Sequence, residues 1–214
     1  MDEISNKTLA ILLIAAIVVS LGGTLISLNR LARIKVPIIT GFLPGAPEQA
    51  EVKLEISSLV QVNFTTDTID WGSGYVKAGY DFCVLNSYDA AIGDNCSSFT
   101  PQTAGLVLEN IGNRNVTLNI TMQKNADDFI GGGSPVCQWN VSELESGSAP
   151  GLELTPGDWQ SCSTTDVVVC NSTGGGFLAG DSTDTLNFDV LVQIPSDAAP
   201  GTKTNVMTAS AAQI

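Results

Sequence analysis

The chain has 214 residues, 43% of them apolar, with 22 acids, 9 bases and no histidine. The lack of histidine excludes His-dependent triads, His-ligated zinc and imidazole proton shuttles. Residues 1–44 hold four bases and two acids, so residues 45–214 hold five bases and twenty acids, a net −15 that repels phosphate backbones and excludes nucleic acid as a partner.

In chain order, a short tail (1–7) precedes residues 8–29, which carry no charge. Thr8 to Leu28 would make about 32 Å of helix against a hydrocarbon core of roughly 30 Å. This predicts one transmembrane helix over 8–29. The run is longer than a signal-peptide core and no small-residue cleavage site follows it, so it reads as an uncleaved signal-anchor. Ala16, Ser20 and Thr24 form a small-residue stripe along it. Arg30, Arg33 and Lys35 follow the helix while Asp2, Glu3 and Lys7 precede it, which by local charge alone favours a cytoplasmic C-terminal side. Large domains translocate largely regardless of flanking charge, and sequons and cysteines argue for the opposite side. The expectation is a single-pass cell-membrane protein with its C-terminal domain outside.

Residues 30–50 read as a linker, with three prolines and two glycines between Val36 and Ala50. Residues 51–214 read as one domain whose periodicity is two. Val52, Leu54 and Ile56 alternate with polar residues, slip at Ser57 and Ser58, and resume as Val60, Val62 and Phe64. Leu106 to Ile111 is a further strand, closed by a turn at Gly112 to Arg114. Val116, Leu118, Ile120 and Met122 make an apolar face opposite Asn115, Thr117, Asn119 and Thr121. Leu186, Phe188, Val190, Val192 and Ile194 form the longest alternation, and Thr204 to Ala211 the last. No segment holds a 3.6 period. Eight to ten short strands with Gly, Pro, Asn and Asp turns predict an all-β fold, an antiparallel β-sandwich of jelly-roll or Ig-like type.

Seven Asn-x-Ser/Thr sequons occur, where about two or three would arise by chance. Asn6 lies before the helix; Asn63, Asn95, Asn115, Asn119, Asn140 and Asn171 are glycosylation candidates on an external surface. All five cysteines, Cys83, Cys96, Cys137, Cys162 and Cys170, follow the helix and none forms a CxxC pair, which favours disulfides in an oxidising exterior. Cys83 with Cys96 is the preferred pair. Among Cys137, Cys162 and Cys170 one must stay unpaired, be buried or bond another chain.

No catalytic residue, metal-ligand set or cofactor motif stands out, and the chain reads as a non-enzyme. Gly131 to Gly133 lacks the Lys-Ser/Thr of a phosphate-binding loop. Asp127 with Asp128, and Asp181 with Asp184, lack EF-hand spacing and read as solvated turn acids. Trp139 shares a face with Cys137 and Val141, which predicts core, and Trp71 reads as core or sheet-corner packing ahead of a sugar-stacking aromatic.

The runs Asn-Lys-Thr-Leu-Ala with the anchor, Ile-Thr-Gly at 39–41, Asp-Trp-Gly-Ser-Gly-Tyr-Val at 70–76, Leu-Glu-Asn-Ile-Gly-Asn at 108–113 and Ile-Pro-Ser-Asp-Ala-Ala-Pro-Gly at 194–201 resemble membrane-anchored surface proteins of small-genome archaea. More distantly the domain resembles the jelly-roll subunits of TasA, camelysin and the archaeal bundling pili. That resemblance implies subunits joined into fibres when a strand of one completes the sheet of the next; in that family a cleaved signal precedes the strand domain, whereas the 8–29 run here reads as uncleaved. The expectation is a structural surface, adhesion or fibre subunit that pairs strands with copies of itself or with other surface proteins, with Glu51 to Phe64 as the exchanged segment. The alternatives are a monomeric carbohydrate- or protein-binding module and a type IV pilin-like filament subunit, for which the Lys/Arg-Gly processing site is missing.

Overall fold

A computed structural model describes residues 11, 13–23, 53–180 and 182–214, and the chain divides into two compact units, Met1–Leu54 and Glu55–Ile214. In the first unit residues 13–23 are helical (α1), with large apolar side chains exposed, Val19 at 75%. At 1.5 Å per residue this stretch reaches about 16 Å, roughly half the hydrocarbon core. Among the described residues no helix is long and apolar enough to cross a membrane. The rest of the expected 8–29 span other than Ile11, the tail and the 30–50 linker lie outside the described residues.

The second unit is mostly antiparallel β. Its strands are β1 (Asn63–Thr66), β2 (Tyr75–Val76), β3 (Phe82–Asn86), β4 (Cys96–Ser97), β5 (Leu106–Glu109), β6 (Val116–Met122), β7 (Val136–Glu143), β8 (Gln160–Ser161), β9 (Val167–Cys170), β10 (Thr185–Pro195) and β11 (Met207–Gln213). A single helical turn, α2 (Ala126–Phe129), is capped by Asn125, whose side chain accepts the Asp128 N–H at 2.8 Å.

The strands form a six-stranded sheet ordered β1-β5-β10-β7-β8, with β3 also on β10, a three-stranded sheet β11-β6-β9, and a pair β2-β4. β10 is the hub. One of its sides takes β7 along Leu186–Gln193; the other takes β5 at Thr185–Phe188 and then β3 at Leu191–Pro195. Asp189 and Val190 therefore sit at the seam where β5 and β3 meet end to end. Gly105, at the entrance to β5, lies so close to β10 that a Cβ there would overlap the Phe188 carbonyl.

Alternation explains both long strands. In β6 every apolar residue is buried and every polar one half-buried, and in β10 Leu186, Phe188, Val190 and Val192 face the core. Residues from the six- and three-stranded sheets join one hydrophobic cluster. Phe188 is at its centre, with ring centroids 5.9 Å from Trp139 and 6.4 Å from Phe64.

One expected strand is corrected. Residues 53–62 lie in no strand, although their alternation reads as one. Sheet pairing begins only at Asn63, opposite Glu109. Leu54 and Ile56 stand 79% and 72% exposed. Glu51 and Val52 lie outside the described residues.

Candidate functional site

Cysteine chemistry is settled by strand geometry. β3 and the β4 segment bring Cys83 to Cys96, with Cα atoms 5.1 Å apart, and they form a disulfide. The β7–β8 pairing, with Cys162 N–H donating to Cys137 O at 2.8 Å, forms a second between Cys137 and Cys162. Cys170 is the free cysteine. It is fully buried in β9, and burial, reinforced by the Glu143 and Glu153 charges, pushes its thiol up to about 12. A thiol so placed holds almost no thiolate at neutral pH and is chemically quiet.

The sequon asparagines do not share one environment. Asn63 is exposed on β1; Asn95, Asn115, Asn119 and Asn171 are half-buried. Asn115 accepts the Ala179 N–H at 3.2 Å, and Asn171 accepts the Gly174 N–H at 3.0 Å while its amide donates to Glu153. Asn140 differs from the others: it is 3% exposed, opposite the 3% exposed Asp189. Asn6 lies outside the described residues.

Asp189 belongs to a buried polar cluster that the alternation does not reveal. Its carboxylate accepts from Ser87 Oγ at 3.0 Å and from Asn187 Nδ2 at 2.7 Å, and Ser87 Oγ in turn accepts the Val190 N–H at 2.9 Å. These bonds tie the end of β3 to β10 beside the seam, and burial still raises the Asp189 carboxyl from its ordinary value.

Residues 57–59 are held by the turn after β5. Asn113 N–H donates to Leu59 O at 3.0 Å, Leu59 N–H to Asn113 Oδ1 at 2.7 Å, and Asn113 Nδ2 to Ser57 O at 2.9 Å. One side chain thus imitates a strand neighbour. Gly112 permits the approach, since a Cβ there would overlap the Leu59 carbonyl. Beside this clamp lies an open cavity of about 490 Å³ whose walls include Glu109, Asn110, Asn113 and Asp184. Asn110 is fully committed: its amide serves Arg114 O and Leu178 O at 3.0 Å each, and its Oδ1 accepts the Gly112 N–H.

Asp184 is a second correction. It is 6% exposed, not a solvated turn acid, and burial, then the Glu109 and Glu145 charges, raise its carboxyl. Glu145 accepts the Asp184 N–H at 3.0 Å and is lowered, chiefly by that backbone bond. Asp181 lies outside the described residues. A carboxyl raised by folding is a stability term present below its unfolded value near ~4 and lost as pH rises through its folded value. Asp184→Asn keeps a donor toward Glu145 and removes the ionisation, so the variant's melting temperature should fall less between pH 4 and pH 8 than the parent's. Equal slopes in a pH series of thermal melts would contradict the upward shift of the Asp184 carboxyl.

The glycine run at 131–133 is filled from within the chain: Gly133 N–H donates to both Asp197 carboxylate oxygens, at 2.9 and 3.1 Å, and Gly131 and Gly132 have positive φ. Trp139 is core at 1% exposure. Trp71 packs partly buried against the core, and its indole N–H is buried without a hydrogen-bond partner. Asp127 and Asp128 are exposed in α2. Among the described residues no group of three or more Cys, Asp or Glu is placed to hold a metal ion.

Comparison with family models, with curated proteins and with solved structures finds no match to this chain.

Proposed function

We propose that this chain is a membrane-anchored, outward-facing structural protein, a surface, adhesion or fibre subunit that associates by β-strand pairing, with its two larger sheets stacked as a β-sandwich. The observation that carries the reading is the stretch 53–60. Residues 53–56 alternate like a strand, yet among the described residues the stretch has no strand partner, is held only at 57–59 by the Asn113 turn, and leaves Leu54 and Ile56 in water. Alternation with one apolar face is the pattern an added strand needs, with main-chain bonds giving affinity and alternate side chains giving register. The two disulfides and the exposed sequon at Asn63 support an external location, and the uncharged run over 8–29 supports anchorage.

The test compares the full-length chain in detergent with a Leu54→Asp/Ile56→Asp variant, by negative-stain imaging and sedimentation. Ordered, repeating assemblies in the parent that the variant fails to form would support the reading. Monodisperse single copies of the parent at every concentration would overturn it in favour of a monomeric binding module. The location is tested separately, by protease added to intact cells: protection of residues 53–214 would overturn it.

A further inference from the structure

We propose that the free edge of β11 is a self-association surface that pairs antiparallel with β11 of a second copy, centred on Ser210. The inference goes beyond the strand-exchange reading and does not need residues 53–60.

The sheet edges of the second unit are managed in different ways. β1 has four residues and an irregular register between Phe64 and Thr66, and β8 has two residues. β3 is covered by its following loop, with Gly93 N–H on Val84 O at 2.8 Å and Asn86 N–H on Ala91 O at 3.0 Å. β9 is covered by Glu153 N–H on Val169 O at 2.8 Å and by the Leu152–Cys170 bridge. Bulged, short or covered edges are how proteins prevent unwanted pairing. β11 has none of these devices. It runs seven residues beside β6 in unbroken register, with no strand on its other side among the described residues, and its sequence, Met-Thr-Ala-Ser-Ala-Ala-Gln, has no charge and no proline.

The bonds to β6 show which groups are free. Gln123 N–H donates to Val206 O at 2.8 Å and Thr117 Oγ1 to Ala212 O at 3.3 Å, so the even-numbered residues turn their main chain toward β6. Met207, Ala209, Ala211 and Gln213 turn theirs to the open side.

Two properties select a second copy as the occupant. The body is strongly acidic, so copies repel across most of their surface, and this uncharged edge brings no like charges face to face. The strand is also self-complementary about Ser210. Ala209 meets the other copy's Ala211, Thr208 its Ala212 and Met207 its Gln213, all pairs small or flexible enough for main chains to close. In that register Ser210 faces Ser210 as a non-hydrogen-bonded pair with Cα atoms about 4.5 Å apart, within disulfide range. The two Thr208 residues stand about 13 Å apart, out of it.

The experiment uses the full-length chain in detergent, as Ser210→Cys and as Thr208→Cys, each mildly oxidised and run on non-reducing gels. Cys170, being buried, serves as the silent background in both. Ser210→Cys should convert to a covalent dimer and Thr208→Cys should stay single. Ala211→Pro removes one outward N–H donor while leaving the β6 ladder intact, and placed on the Ser210→Cys chain it should abolish the dimer. Equal crosslinking at both positions, no crosslinking at Ser210→Cys, or a dimer that survives Ala211→Pro would overturn the proposal. If Ser210→Cys fails to crosslink while filaments still form, self-pairing of β11 fails and the strand-exchange reading stands.

Discussion

Replacing Phe188 by alanine should cost about 3–5 kcal/mol of unfolding free energy. Phe188 is 0% exposed, its ring tilted against Trp139 and in edge contact with Phe64, and it lies in β10 opposite Leu106 on one side and Val141 on the other. Truncation would open a void bounded by two rigid aromatics and two paired strands, which have little freedom to collapse into it. Against a typical total of about 5–15 kcal/mol, this is a large fraction. Urea denaturation checks it: the midpoint should fall with the slope little changed. A loss below about 1 kcal/mol would remove Phe188 from the centre of the core.

Removing the Cys137–Cys162 bridge by paired alanine substitutions should cost about 3.5 kcal/mol, and removing Cys83–Cys96 about 3 kcal/mol, because the first closes the longer loop, 25 residues of separation against 13. Changing both partners together avoids leaving a lone thiol to exchange with the other bridge. The order of the two effects, read from denaturant midpoints, is the discriminating result. Non-reducing peptide mapping should recover both bridges, with Cys170 as the single thiol and alkylated only after unfolding. Five free thiols would contradict both pairings and the exterior reading with them.

Sequence periodicity made the central strands legible because their two faces differ in chemistry. Val116 to Met122 and Leu186 to Ile194 alternate, and both are strands with the expected face inward. The same rule misplaced residues 53–62. Alternation says that one face can be buried, not that a neighbour exists to bury it; here the main chain and side chain of Asn113 hold residues 57–59 in place of a strand. Burial on the second face was equally hidden. Asn140 and Asp189 lie off the core face, as alternation places them, but they sit opposite each other across β7 and β10, where Asp189 meets the seam between β5 and β3, and both are closed from water. The one available signal was an aspartate in the middle of an apolar run, between Phe188 and Val190. Asp184 was illegible for a different reason: the Glu109 and Glu145 charges that help raise its carboxyl come near it only after β5, β7 and β10 have paired.

The position of β10 as hub sets the order in which this chain can acquire its shape. β3, β5 and β7 all wait for a strand that comes late in the sequence, and the Ser87–Asp189 bond spans 102 residues. Contacts of that separation impose a heavy loop-closure burden and a slow route to the native state. The short hairpin bridging Cys83 to Cys96 needs no such wait. An emerging chain would hold its local crosslink early while β3, β5 and β7 each kept an edge open for β10 until residue 195 was free, and that interval is when it would most need shielding from its own kind.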